Sequence, residues 1–280
     1  RAMNGRTIII RLIDPPLHEF IPDKEVVLQE IYDLKIAGKT AELSEKLGLL
    51  KSIEALHESN PMMGMRGVRL SILMSDIVTM QVRAIFEAAC RVAAEGVPVQ
   101  PEIMIPLVAH LNELKVIQPQ LDAVAKQVMK ESGVTVPYLF GSMIELPRAC
   151  VTADEITQLA DFLSFGTNDL TQMTFGFSRD DVEASFLAEY LKRGILPSNP
   201  FQTLDVNGVG VLIKDAIRLS RKIKPMIQIG VCGEHGGDPE SIHFFHKSGL
   251  DYVSCSPLRI PVARLAAAQA NLQDHVGVKS

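Results

Sequence analysis

The sequence predicts an α/β fold, a TIM-type (β/α) barrel, and three observations carry that expectation. Strand-length apolar runs alternate with segments of helical periodicity, the pattern of parallel strands joined by crossover helices. The runs number about seven, at 7–13, 66–70, 102–107, 137–145, 161–166, 226–232 and 251–255. No dinucleotide-binding glycine fingerprint accompanies them, which favours a barrel over an open doubly wound sheet.

Each element has a local reason. TIIIRLI (7–13) opens the series, a charged excursion over 14–60 follows, and RGVRL (66–70) is the next strand. Val78, Val82, Ile85, Ala89 and Val92 then share one helical face, which Gly96 ends. EIMIPL (102–107) precedes a helix near 111–131 whose pattern Pro119 interrupts. PYLFGSMIE (137–145) leads to a helix from about Ala153, where Thr152 and Glu155 have capping-box spacing. DFLSFG (161–166) is followed by a second excursion, 172–206. MIQIGVC (226–232) runs into Asp238 and Pro239, the N-cap and first residue of a helix that Gly249 stops, before DYVSC (251–255). Neither excursion holds enough apolar residues for its own core, so residues 1–280 are expected to form one domain.

Composition narrows the function. A chain of 280 residues that is 47% hydrophobic fills a real core. Its net charge of -5, without a run of lysines and arginines, argues against nucleic acid and acidic membranes as partners. Cys90, Cys150, Cys232 and Cys255 stand far apart, with no C-x-x-C, which fits a reducing, cytoplasmic setting better than a disulfide framework or zinc knuckle. No apolar run reaches the roughly 18 residues of a membrane span, and no signal peptide opens the chain. Because the first residue is Arg1, close to the first strand, a fragment or processed product is expected, and any plastid or other targeting segment would lie upstream.

Several strands end in residues that are costly to bury without a purpose. In a barrel the C-terminal strand ends form the catalytic mouth, so Arg11, Arg66, Glu145, Asn168, Asp169 and Cys232 are expected to converge there. Glu145 and Asp169 are hard oxygen ligands suited to Mg²⁺ or Mn²⁺, although a lone strand-end acid is more often a cap or an ion-pair partner. Arg11 and Arg66 match phosphate or carboxylate, or else form structural salt bridges to acids such as Asp14. FGTNDLT (165–171) is either an anion-holding helix start or an ordinary capped loop.

Cys232 is by default a small buried residue. At a catalytic mouth, however, a thiol with an ordinary pKa of about 8.5 and no strong cationic partner stays protonated and can act as an acid. His235 offers two alternatives, a thiolate pair with Cys232 or shared zinc. The second is weak, because C-G-E-H lacks two further soft ligands. His243 and His246, spaced i, i+3, fit a helix surface better than a metal.

Six ordered motifs carry a resemblance that covers essentially the whole chain: RLIDPPLHEF (11–20), NPMMGMRGVRL (60–70), GSMIELPRA (141–149), FLSFGTNDLTQMTFGFSRDD (162–181), VCGEHGGDPES (231–241) and YVSCSPLRIPVARLAAAQA (252–270). Together they resemble the C-terminal phosphoenolpyruvate/pyruvate-binding barrel of the PEP-utilising enzymes. That family includes phosphoenolpyruvate synthase, Enzyme I of the sugar phosphotransferase system and the pyruvate, phosphate dikinases, whose wording is nearest.

The resemblance implies that Arg11 and Arg66 bind the phosphoryl group, that Glu145 and Asp169 hold Mg²⁺, and that Gly166, Thr167 and Asn168 line the substrate with them. It implies that Cys232 is the acid/base that protonates the enolate of pyruvate. Expected partners are pyruvate or phosphoenolpyruvate, a phosphohistidine domain outside this chain, and a second copy in a homodimer. The family's earlier strand, with its G-L-x-R-T-E-H-like arginine motif, is absent from these residues, as is a histidine in the T-S-H carrier context. The resemblance thus implies a TIM-type (β/α)8 barrel lacking its first strand, open between 7–13 and 251–255 with its ladder edges exposed. Ser142 stands where the family usually has threonine. The chain alone is therefore not expected to run the complete ATP-dependent reaction.

Overall fold

The computed structural model describes residues 1–277, and at its centre lies a wholly parallel sheet of six strands. These are β1 (Thr7–Arg11), β2 (Gln100–Ile105), β3 (Leu139–Ile144), β4 (Phe162–Gly166), β5 (Gln228–Cys232) and β6 (Tyr252–Val253), hydrogen-bonded side by side in chain order. Because the order never reverses, right-handed crossovers place every connecting helix on the same face, as in a (β/α) barrel and unlike a doubly wound sheet. Among the described residues β1 pairs only with β2 and β6 only with β5, so the sheet is an arc with open ends where the sequence predicted them.

The helices follow from the same alternation. After β1 come α1 (Lys24–Ile36) and α2 (Thr40–Leu56), a hairpin around the small cluster Val27, Ile31 and Ile53. Then come α3 (Gly67–Leu73) and α4 (Ser75–Ala94); α5 (Leu111–Ser132) follows β2, and α6 (Pro147–Val151) with α7 (Ala153–Thr157) follows β3. After β4 lie α8 (Thr167–Phe175), α9 (Arg179–Ala184), α10 (Leu187–Lys192) and α11 (Val209–Ile223); α12 (Pro239–Lys247) follows β5, and α13 (Ile260–Gly277) ends the described chain. None is long and apolar enough to cross a membrane among the described residues.

Strand side chains alternate between two cores with the period of two that a pleated strand imposes. Ile103, Ile105, Phe140, Ile144, Leu163, Phe165, Ile229 and Val231 join the large core beneath the helices. Met104, Met143 and Phe162 point the other way, packing with Ile9, Leu139 and Cys232 on the inner face. Bulk and glycine complement each other there: a Cβ on Gly141 would overlap the Phe162 ring, and one on Gly230 the Tyr252 ring.

Three local expectations need correction. Residues 66–70 are not a strand: Gly67 takes φ +56° and α3 begins, burying Gly67, Leu70 and Ser71 at helical spacing. A five-residue run cannot separate the two periods, which is why the alternation misled. The Thr152–Glu155 capping box does not form, because Thr152 Oγ1 donates back to the Arg148 carbonyl at 2.9 Å. Pro119 does not break its helix either. α5 runs through it, held by the buried stripe Leu114, Ile117, Leu121, Ala125 and Val128, and opens with a capping box between His110 and Glu113. Asp238 caps α12 as expected, accepting from the Ser241 N–H at 2.9 Å.

Candidate active site

The residues singled out from the sequence come from five segments and meet at the C-terminal rim of the sheet. Arg11 ends β1 and Cys232 ends β5; Glu145 directly follows β3; Asp169 lies in the first turn of α8. Arg66 is the N-cap of α3, a place it reaches only because Gly67 lies against its neighbours. A Cβ on Gly67 would stand 2.7 Å from that of Leu107 and 3.1 Å from Asp14 Oδ1.

Four charged groups form one connected set. Arg66 donates to Asp14 at 2.5 Å and to Asp169 at 2.9 Å, and Arg11 donates to Asp14 at 3.1 Å. Arg66, Asp14 and Asp169 are buried, at 8%, 4% and 9% exposure, whereas the Arg11 side chain is 44% exposed and can still meet a ligand. Burial alone would lower the pKa of Arg66, but the hydrogen bonds and charges of the two aspartates hold it above its ordinary value.

Glu145 differs from these because, among the described residues, no cation pairs with it directly. Its Oε1 accepts from the Leu107 N–H at 2.6 Å, while Oε2 is buried with no hydrogen-bond partner among the described residues. Burial, then the charges of Asp169 and Asp14, push its pKa up to about 8, so the carboxyl is largely protonated at neutral pH. Gly166 makes room for it, since a Cβ there would overlap Oε2. Among the described residues no three acidic, cysteine or histidine groups cluster as a metal cage. Two hard carboxylates with one orphaned oxygen nonetheless fit a divalent cation of the Mg²⁺ class, which keeps waters and substrate oxygens as its other ligands. At such a site the cation's charge would favour the ionised form of Glu145.

The Cys232 thiol lies on the inner face, with Ser164 Oγ donating to its sulfur at 3.5 Å and the sulfur lying 3.5 Å from the Phe165 carbonyl. Burial raises its pKa to about 11, and Glu145 adds to the shift while the Ser164 hydrogen bond opposes it. His235 does not activate it as a thiolate. The ring is buried, with Nε2 2.8 Å from the Pro200 carbonyl and Nδ1 2.9 Å from Thr167 Oγ1. A carbonyl only accepts, so Nε2 carries the proton, and burial lowers the pKa of the ring.

The loop after Cys232 is stitched to the start of α8. Asn168 Oδ1 accepts from the Glu234 N–H at 3.1 Å, and Thr167 Oγ1 lies 3.1 Å from the Cys232 carbonyl. Gly233 allows this by adopting φ +107°, ψ 180°, a region essentially reserved for glycine. A Cβ there would also lie 2.8 Å from Thr167 Oγ1 and 2.9 Å from Asn168 Oδ1. Gly233→Ala is expected to destabilise the fold by about 1–3 kcal/mol, read as a lowered melting temperature; an unchanged value would show that the loop is not held this way.

A cavity of about 550 Å³ opens over the set, lined by Asp14, Arg66, Asn168, Asp169, Gln172 and Arg179 among others. Arg11, Glu145 and Cys232 lie outside that lining. The sequence pattern of the family described as PEP-utilising enzyme, PEP-binding domain, matches residues 1–272. The chain belongs to this family.

Its curated relatives in that family include pyruvate, phosphate dikinases. The chain is 48% identical to the one from Entamoeba histolytica over 274 residues, covering 98% of this chain and 31% of that protein. It is 52% identical to that of Rhizobium meliloti over 271 residues, covering 96% and 29%, and 50% identical to that of Clostridium symbiosum over 280 residues, covering 98% and 30%. The chain therefore spans about a third of the length of the curated relatives it matches. Within this PEP-utilising barrel, sequence reasoning passed over the Leu107 N–H that holds Glu145 and the double engagement of His235. Leu107 could not be found from its type, because its role rests on a backbone conformation of φ +59°, unusual outside glycine.

Proposed function

We propose that the chain is the C-terminal phosphoenolpyruvate/pyruvate-binding barrel of a multidomain pyruvate, phosphate dikinase. Its half-reaction passes a phosphoryl group between a phosphohistidine on another domain and pyruvate, through the enolate, within ATP + phosphate + pyruvate = AMP + diphosphate + phosphoenolpyruvate. The meeting of Arg11, Arg66, Glu145, Asp169 and Cys232 at one rim is the observation that supports this most, together with the dikinase relatives.

Arg11 and Arg66 bind the phosphoryl oxygens and spread the charge of the transferring group. Glu145 and Asp169 hold Mg²⁺, which when bound stabilises negative charge on the enolate oxygen. Gly166, Thr167 and Asn168 line the substrate, Gly166 also keeping Glu145 in place. Once the phosphoryl group has left phosphoenolpyruvate for the histidine, the Cys232 S–H gives its proton to the methylene carbon and pyruvate results. In the other direction the thiolate removes that proton. A thiol with a pKa near 11 is present as the acid at neutral pH, which suits donation.

No histidine of this chain stands in the carrier context, so the chain by itself is proposed not to complete the ATP-dependent cycle. Four free thiols fit a reducing compartment, the cytoplasm or a plastid. The exposed apolar residues Leu258 and Leu265, at 92% and 61%, fit a homodimer.

Calorimetric titration of the chain with phosphoenolpyruvate in the presence of Mg²⁺ tests the reading. Saturable heat at sub-millimolar ligand, lost when the metal is chelated, is the expected result. No heat at millimolar ligand would overturn it.

A further inference from the structure

Resting on that reading, we propose that Asp14 is the positioning residue of the phosphoryl subsite: it holds the Arg66 guanidinium by its Nε/Nη2 edge, so that the adjoining Nη1/Nη2 edge can pass from Asp169 to a phosphoryl group. Asp14 is neither a metal ligand nor a substrate contact in the function proposed above. Its position between the two arginines gives it a separate task.

A guanidinium presents five N–H donors on a rigid plane, so it can grip two carboxylates by two different edges. Arg66 does so. Nε and Nη2 donate to Asp14 Oδ1 and Oδ2 at 3.3 and 2.5 Å, while Nη1 and Nη2 donate to Asp169 Oδ1 and Oδ2 at 2.9 and 3.3 Å. The two aspartates are not equivalent. Asp14 also accepts from Arg11 Nη1 at 3.1 Å, and its main-chain carbonyl accepts from the Gly67 N–H at 3.1 Å. It therefore fixes Arg66 through side chain and backbone at once, and ties it to Arg11. The side chain of Asp169, among the described residues, accepts hydrogen bonds from Arg66 alone.

Asp169 can thus leave Arg66 for another cation without freeing the arginine. When it does, the Nη1/Nη2 edge loses its carboxylate and faces the cavity, while the Nε/Nη2 edge and Arg11 stay anchored on Asp14. A phosphoryl group presents the same spacing of two oxygens that the edge has just lost. Without Asp14, Arg11 loses the carboxylate that ties it to Arg66, and Arg66 keeps, among the described residues, only Asp169 and, at 3.4 Å, the Met62 carbonyl, both on the edge that the phosphoryl group is to take. Asp169 fills the place a phosphoryl ligand takes; Asp14 keeps the place in shape.

The test compares the chain with Asp14→Asn and Asp14→Glu by calorimetry, using phosphoenolpyruvate and pyruvate, each with Mg²⁺. Pyruvate lacks the phosphoryl group and serves as the control for the rest of the site. Asp14→Asn is expected to raise the dissociation constant of phosphoenolpyruvate about tenfold or more, with that of pyruvate changed by less than about twofold. Asp14→Glu retains the charge but lengthens the arm by one methylene, so it should fold even if the asparagine variant does not, and weaken phosphoenolpyruvate alone to a smaller extent. Equal weakening of both ligands would reveal a purely structural residue and overturn the proposal, as would unaltered phosphoenolpyruvate binding in either folded variant. Absence of phosphoenolpyruvate binding in the unsubstituted chain is a different result, and it defeats the functional reading itself.

Discussion

Cys232→Ala will slow exchange of solvent deuterium into the methyl group of pyruvate by a factor on the order of 10²–10⁴, the usual contribution of a positioned proton-transfer group. Mg²⁺ binding should remain nearly intact, because the thiol neither ligates the proposed cation nor bonds to either carboxylate. Proton NMR of pyruvate incubated with the chain and Mg²⁺ in deuterium oxide reads the rate directly and does not depend on phosphate arriving from another domain. The sulfur already has a hydroxyl donor in Ser164 and a carbonyl in Phe165, and a pKa raised to about 11 makes the thiol its resting form at neutral pH, the thiolate that takes the methyl proton being the minor one. A thiol kept in that state is an acid and a poor nucleophile. Wild-type exchange in the alanine variant would remove Cys232 from the chemistry.

Glu145→Gln should abolish measurable Mg²⁺ binding and, in metal-free solution, flatten the dependence of stability on pH. The carboxyl has a folded-state pKa of about 8 against an ordinary value of 4.5. The folded chain thus binds this proton more tightly than the unfolded chain. Its contribution to stability is fully present below the ordinary carboxylate range and is lost as pH rises from there through about 8. Glutamine cannot ionise, so that loss disappears, and the variant should overtake the native chain in stability on the alkaline side. Mg²⁺ should reverse the alkaline loss in the native chain only. Thermal unfolding at several pH values, with and without Mg²⁺, checks both parts; parallel pH profiles for the two chains would show that the buried carboxyl is not the titrating group.

These two residues also show how far the sequence was legible. Glu145 and Cys232 could be singled out because a polar side chain at the end of an apolar strand is conspicuous, and the strands themselves followed from composition. Five of the six observed strands overlap runs of six residues or more, where β-branched and apolar content leaves little ambiguity. The short run at 66–70 failed because a few residues of alternating character fit a helix start equally well. Pro119 misled in the opposite sense: a local rule pointed to a break, but a buried stripe along both halves of α5 outweighed one missing hydrogen bond.

Residue order along the chain was enough for the parallel alternation of strands and helices and for the residues assembled at one rim, since each depends on patterns local to a strand or helix; the open sheet ends followed from the family likeness. It could not say that Arg66 is held from two sides, that Glu145 lacks a partner for one oxygen, or that His235 turns away from the neighbouring thiol. Those outcomes depend on distances between side chains up to 103 positions apart, as between Arg66 and Asp169. Hydrogen bonding and desolvation act over a few ångströms, and only the closing of the chain brings such groups within that reach.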